Sequence, residues 1–206
     1  NDSQSKEIMD FLVGIQGKDF VLMASDCSQA RSIVVMKRDM DKSVEISPNT
    51  LMLTSGPLGD TVNFGEYIAK NLKLNSFRNE TEGSPWANAN YVRHQLSTAL
   101  RSRDAYQVNL LLGGYGDDKN GEEKPQLYFM DHLAAFAQVK YAAQGYGGFF
   151  TLSIMDKHYK EDMTLEEATS LMQRCVDEVR KRFLVQMPKF IVRVIDKDGV
   201  RKVDDM

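Results

Sequence analysis

Cysteine is nearly absent from this chain: two thiols, Cys27 and Cys175, in 206 residues. Neither sits in a Cys-x-x-Cys spacing or beside a histidine cluster, which argues against a disulfide-stapled fold and against a zinc site. Scarce, unpatterned cysteine fits a reducing compartment. Histidine is equally thin. His94, His132 and His158 are isolated from one another, and no pair has metal-ligand spacing. A basic excess is missing too: the formal net charge is -3, so the electrostatic footprint of a nucleic-acid binder is not there. A basic run, Arg101-Ser102-Arg103, falls at an expected helix end, where cations meet the negative pole of the helix dipole. No apolar run approaches the ~20 residues a membrane span needs, and no signal-peptide pattern heads the chain. It begins with Asn1 and not Met, so the encoded protein is expected to extend upstream or to be trimmed. No metal, nucleic acid or membrane is expected.

What is present is a core. Apolar residues make up 42% and charged residues 27% of the chain, a balance typical of globular proteins and not of disorder. At this length one domain buries roughly 70% of its unfolded surface. Phe11 to Gln16 and Phe20 to Ser25 are two apolar runs around Gly17-Lys18-Asp19, the signature of a hairpin. Ser32 to Lys37 and Thr50 to Ser55 are further strand candidates. The period then changes: Phe64, Tyr67, Ile68 and Leu72 recur at helical spacing from Gly59 to about Phe77. A second helix opens on Ser84-Pro85, with Trp86, Ala89, Val92, Leu96 and Ala99 as its apolar face. Strands resume at Tyr106 to Leu112, Gln126 to Met130 and Ala134 to Val139, with a solvated Asn120-Gly121 turn in between.

Thr164-Leu165-Glu166-Glu167 is a capping box. The stripe Leu165, Ala168, Leu171, Met172, Cys175, Val176, Val179 and Phe183 follows it. That stripe accounts for Cys175 as a small buried hydrophobe. Lys189 to Ile195 is a strand, and Asp198-Gly199 turns the chain into a last short strand ending near Val203. Helices grouped between blocks of mostly antiparallel strands indicate an α+β fold. Two helix layers outside two sheets would satisfy all the stripes.

Candidate chemistry is sparse. Gly113-Gly114-Tyr115-Gly116 and Gly145-Tyr146-Gly147-Gly148 resemble phosphate loops only superficially. Neither fits a P-loop or a dinucleotide-binding fingerprint, and both are expected to be tight turns where backbone approaches backbone. A nucleotide-binding protein using these turns remains as a weak rival. Cys27 is a conceivable nucleophile, but cleavage before it would remove both opening strands and dismantle the sheet.

The opening strands Phe11-Leu12-Val13-Gly14-Ile15-Gln16-Gly17 and Phe20-Val21-Leu22-Met23-Ala24-Ser25-Asp26 resemble the start of a proteasome beta subunit. Gly59 to Ile68, Arg101-Ser102-Arg103 with Tyr106 to Tyr115, Gly145-Tyr146-Gly147 and Asp196-Lys197-Asp198-Gly199 extend the resemblance over residues 9 to about 204. It implies a four-layer αββα sandwich of the N-terminal nucleophile hydrolase type, an extension at 1–8 and a single domain at 9–206. In active members a threonine freed by self-cleavage heads the first strand, and its own amine is the general base.

The resemblance puts Met9 at that place, followed by Asp10. A thioether cannot form an acyl ester. Met9 has no free amine behind Asn1 to Ile8, and Ile8 stands where precursors carry glycine. Asp26 matches the family's acid, Lys42 its lysine and Gly56 its oxyanion-hole glycine, with Asp26 and Lys42 expected to form a mutual ion pair under the sheet edge. Tyr146, about Phe183 and about Gln186 stand where the supporting Ser, Asp and Ser would be. No catalytic, cofactor-binding or metal residue is therefore expected, and no cofactor. The implied role is architectural: one place in a seven-membered beta ring of the 20S core particle, against an alpha ring and an opposite beta ring, in cytoplasm and nucleus. The implied neighbour is the subunit with chymotrypsin-like activity, with the Ser25 to Arg31 loop and the Gly113 to Tyr115 turn nearest its cleft. The enzyme-class rival is an autonomous N-terminal hydrolase working through a residue other than Met9.

Overall fold

The computed structural model describes residues 10–31, 34–183, 186–203 and 206. The expected extension 1–8 and Met9 lie outside them, as do Ser32 and Ile33 of one expected strand. In chain order the elements are β1 (Phe11–Gln16), β2 (Val21–Asp26), β3 (Gln29–Arg31), β4 (Val34–Lys37), β5 (Ser43–Ser47), β6 (Thr50–Ser55), α1 (Leu58–Asn79) and α2 (Pro85–Leu100). Then come β7 (Asn109–Asp117), β8 (Glu123–Met130), β9 (Phe136–Gln138), β10 (Tyr141–Gly145), α3 (Gly148–His158), α4 (Leu165–Arg182), β11 (Phe190–Asp196) and β12 (Gly199–Lys202).

The strands make two five-stranded sheets, ordered β10-β1-β2-β11-β12 and β5-β6-β7-β8-β9, beside a separate β3-β4 pair. Among the described residues every pairing is antiparallel. Side-chain alternation explains the layering. Along β1, Phe11, Val13 and Ile15 join the core under α3 and α4, while Leu12 joins the core between the sheets. Along β2, Leu22 and Ala24 go to the helices and Val21 and Met23 to the second sheet. The second sheet mirrors this. Met52, Leu110 and Leu112 pack with α1 and α2, and Leu51, Leu53 and Leu111 face the first sheet. Strands covered on both faces read as unbroken apolar runs, which is why these segments show no clean alternation in sequence. The expected four-layer α+β sandwich is what forms.

The β1–β2 hairpin closes as expected, with the Gly17 N–H donating to the Phe20 carbonyl at 2.9 Å. The capping box at Thr164 is intact. Cys175 is buried on the inner face of α4 and burial pushes its thiol up to about 12, so it is a protonated packing group.

Several expectations need correction. Gly113 and Gly114 are not a turn but lie inside β7. The close approach they imply is real: a Cβ at Gly113 would stand 2.5 Å from the Met23 sulfur of the other sheet. Trp86 does not join the core of α2 but is 40% exposed. Asn88 is buried instead and donates back to the Gly83 carbonyl at 3.0 Å. The helix α3 and the strands β3, β5 and β10 were not expected at all. Their short sequences carry no sustained period, and they form because neighbouring strands and α4 supply the partner surface.

Candidate functional site

Asp10 stands immediately before β1. Asp26 ends β2, Lys42 immediately precedes β5, and Gly56 immediately follows β6. Ends of both sheets therefore converge at one point. Two local features aim the groups. The Lys42 carbonyl accepts from the Thr54 N–H at 3.0 Å, extending the β5–β6 ladder by one residue. Gly56 adopts φ +153, and a side chain there would run into the Gln107 carbonyl, so only glycine lets this peptide turn into α1.

The Lys42 ammonium lies 2.7 Å from Asp26 Oδ1 and 2.6 Å from Asp10 Oδ1. The expected Asp26–Lys42 pair is thus present, but with a second carboxylate on the same cation. Asp26 is fully used: Oδ1 also accepts from the Phe11 N–H at 2.8 Å, and Oδ2 accepts from the Ser28 N–H at 2.9 Å. Asp10 is used at both oxygens too, because Oδ2 accepts from the Gly56 N–H at 3.1 Å. Burial, opposed by the nearby ammonium, leaves the Asp26 carboxyl above its ordinary range. Burial also works against the Lys42 charge, but Asp26 and Asp10 more than offset it and hold the ammonium above the usual lysine range.

This geometry corrects the assignment made from resemblance. The side chain that meets both Lys42 and Gly56, the glycine matched to the family's oxyanion hole, is Asp10. Met9, given that place from sequence, lies outside the described residues. The signal was available: Asp10 shares parity with Leu12, whose side chain faces the second sheet where Lys42 and Gly56 lie.

The other expected positions fall elsewhere. Tyr146 and Phe183 pack together, ring centroids 6.4 Å apart, an apolar contact where a hydrogen-bonded Ser and Asp were to be compared. Gln186 is exposed. Cys27 is buried at 1% exposure. His94, His132 and His158 are exposed on α2, in the turn after β8 and at the end of α3, respectively. Among the described residues no group of three or more His, Cys, Asp or Glu could hold a metal ion, and no helix is long and apolar enough to cross a membrane.

The glycine motifs make no phosphate cradle. Space beside Gly114 is filled by Pro85, and space beside Gly147 by the Phe11 ring. Gly145, at φ +78, backs directly onto the Asp10 carbonyl and so helps fix Asp10 in place. The cavity beside Asp10 and Lys42 amounts to about 20 Å³, room for about one water. A larger depression of about 640 Å³ lies on the outer face of α4 along Leu165, Thr169 and Gln173, and none of the clustered residues lines it.

Two facing antiparallel sheets between helix layers, with an acid, a lysine and a glycine N–H gathered at the head of the first strand, define the sandwich of the N-terminal nucleophile hydrolases. The comparisons narrow this. The family model described as "Proteasome subunit" matches residues 11–195. The chain is 47% identical to "Probable proteasome subunit beta type-4" of Schizosaccharomyces pombe, over 95% of this chain and 100% of that protein. It is 46% identical to "Proteasome subunit beta type-4" of Saccharomyces cerevisiae, over 96% and 98%. It is 43% identical to "Proteasome subunit beta type-2" of Oryza sativa subsp. japonica, over 94% and 89%. The chain belongs to the proteasome subunit family.

Proposed function

We propose that this chain is a non-catalytic beta subunit of the 20S proteasome core particle, serving protein degradation as architecture. The observation that carries the reading is the Asp10 carboxylate, held between Lys42 at 2.6 Å and the Gly56 N–H at 3.1 Å. A peptide-cleaving nucleophile must attack a carbonyl and form an acyl intermediate that outlives the departing amine. A carboxylate would form a mixed anhydride, in which the carboxylate leaves far more readily than the amine, so attack reverts. Both oxygens of Asp10 are also engaged, one of them on the donor that would otherwise stabilise an oxyanion. Among the described residues, the group held between Lys42 and the Gly56 N–H is this carboxylate and not a hydroxyl or thiol.

On this reading the chain takes one place in a seven-membered beta ring, packs against an alpha ring and an opposite beta ring, and lines the proteolytic chamber beside the chymotrypsin-like subunit. Residues 9–206 serve as one domain behind an extension at 1–8, working in cytoplasm and nucleus. The 41–47% identity to beta type-4 and beta type-2 subunits supports this placement. The test uses a covalent threonine-directed peptide inhibitor on purified particles, followed by intact-mass analysis of every subunit. Adducts are expected on sibling beta subunits and none on this chain. An adduct here would overturn the reading.

A further inference from the structure

The Lys42 ammonium and the Gly56 N–H converge on a single carboxylate, and that carboxylate belongs to the chain itself. A cation and a backbone N–H on the two oxygens of one carboxylate form a charge-assisted fork, the arrangement by which proteins hold free carboxylates. The Asp10 side chain is chemically an acetate ion tethered by its methyl carbon. We propose that Lys42 and Gly56 constitute a binding site for small monocarboxylates, which the chain keeps occupied with Asp10.

Three observations separate this from an ordinary ion pair. The neighbouring carboxylate is not free to take over the site: Asp26 is already tied to Lys42, the Phe11 N–H and the Ser28 N–H. Removing Asp10 therefore leaves the Gly56 N–H without its acceptor and Lys42 with Asp26 as its one remaining carboxylate. Those donors are also fixed in place. The Lys42 side chain is only 3% exposed, and the glycine-only turn at Gly56 holds its N–H in position.

Charge points the same way. Asp10, Asp26 and Lys42 together carry one net negative charge, so loss of Asp10 leaves a neutral pair and a bound monoanion restores the native balance. The walls set the size limit. Met40 and Leu58 are apolar, and the Thr54 and Thr61 hydroxyls donate to the Lys42 and Leu58 carbonyls rather than into the site. Acetate and formate match the space an Asp10 side chain vacates; butyrate exceeds it. The inference goes beyond the architectural reading and is tested by binding alone, so either can fail without the other.

The experiment follows the thermal midpoint of the full chain carrying Asp10→Gly, titrated with sodium acetate, formate or butyrate against sodium chloride at equal ionic strength. Acetate and formate should raise Tm saturably by about 2–4 °C, while butyrate behaves as chloride does. The unaltered chain should not respond. Asp10→Asn, which fills the same volume without charge, should not respond either. Adding Lys42→Met to Asp10→Gly should abolish the response. Should Asp10→Gly be unfolded in chloride, acetate is expected to restore a cooperative transition. A folded Asp10→Gly chain indifferent to acetate, an unfolded one that acetate does not rescue, or an equal response without Lys42 would overturn the proposal.

Discussion

Two lysines in this molecule each stand between two acids, and they live under opposite conditions. Lys42 reaches Asp10 and Asp26 at 2.6 and 2.7 Å with its side chain 3% exposed. Lys124, near the tip of the β7–β8 hairpin, reaches Asp118 and Glu122 at 2.6 and 2.9 Å with 37% exposure. In the hairpin the hydrogen bond from Lys124 dominates and holds the Asp118 carboxyl down, at about 2. At the sheet ends burial dominates, and Asp26 stands above its ordinary range despite an ammonium in contact. A lysine between two acids is thus half-exposed in one place, where Glu122 is solvated although Asp118 is only 6% exposed, and enclosed in the other. Water can replace a partner at the surface, whereas an interior carboxylate deprived of its cation has nothing to turn to.

The largest expected effect comes from breaking the buried cluster. Lys42→Met leaves two carboxylates without a cation and should destabilise the chain by about 3–5 kcal/mol, read as a lower urea midpoint at unchanged m-value. Lys124→Met should move the midpoint far less. Equal shifts in the two variants would erase the distinction drawn from burial.

Gly145→Ala sharpens the comparison from the backbone side. It places a methyl group against the Asp10 carbonyl at a residue with φ +78. A loss of more than about 1 kcal/mol is expected, and the same substitution at Gly59, which has open space around it, is the internal control. A Gly145→Ala chain as stable as the Gly59→Ala chain would show that Asp10 is not pinned by β10.

The smallest effect is in acid. Asp118 has a folded pKa of about 2 against 3.8 unfolded. Its contribution to stability is therefore present above 3.8 and is lost as pH falls toward 2. Asp26 has the opposite sign: its folded value is raised, so its ionisation opposes folding as pH rises through that value. Asp118→Asn should flatten the loss of stability between about pH 4 and 2, measured by thermal midpoints across that range. An unchanged acid limb would mean the hairpin pair is too well solvated to matter.

Legibility followed local information. β1 and β6 fall where the apolar runs put them, and α4 starts at its capping box, because these segments carry run length, period and cap within themselves. α3 was not legible: Gly148–His158 opens on glycine and aromatics and has no side-chain cap, so its helical state depends on Met155 and Thr151 finding the first sheet. At the candidate site the acid, lysine and glycine were placed by resemblance, yet the residue facing them was taken one position too early. A shift of one residue at a strand head exchanges its two faces, and only the parity shared with Leu12 marks Asp10 as the inward one.

The sequence by itself determined the element types with strong internal signals, the α+β class, and the lack of a cysteine, histidine or glycine pattern able to carry metal or phosphate chemistry. Tertiary structure alone decided that Asp10, Asp26, Lys42 and Gly56 meet. They are separated by up to 46 positions in the chain, and their contact requires the ends of two different sheets to be stacked face to face. Their chemistry also had to wait for the fold, because an ion pair changes character with the water around it, and how much water remains is set by packing and not by residue type.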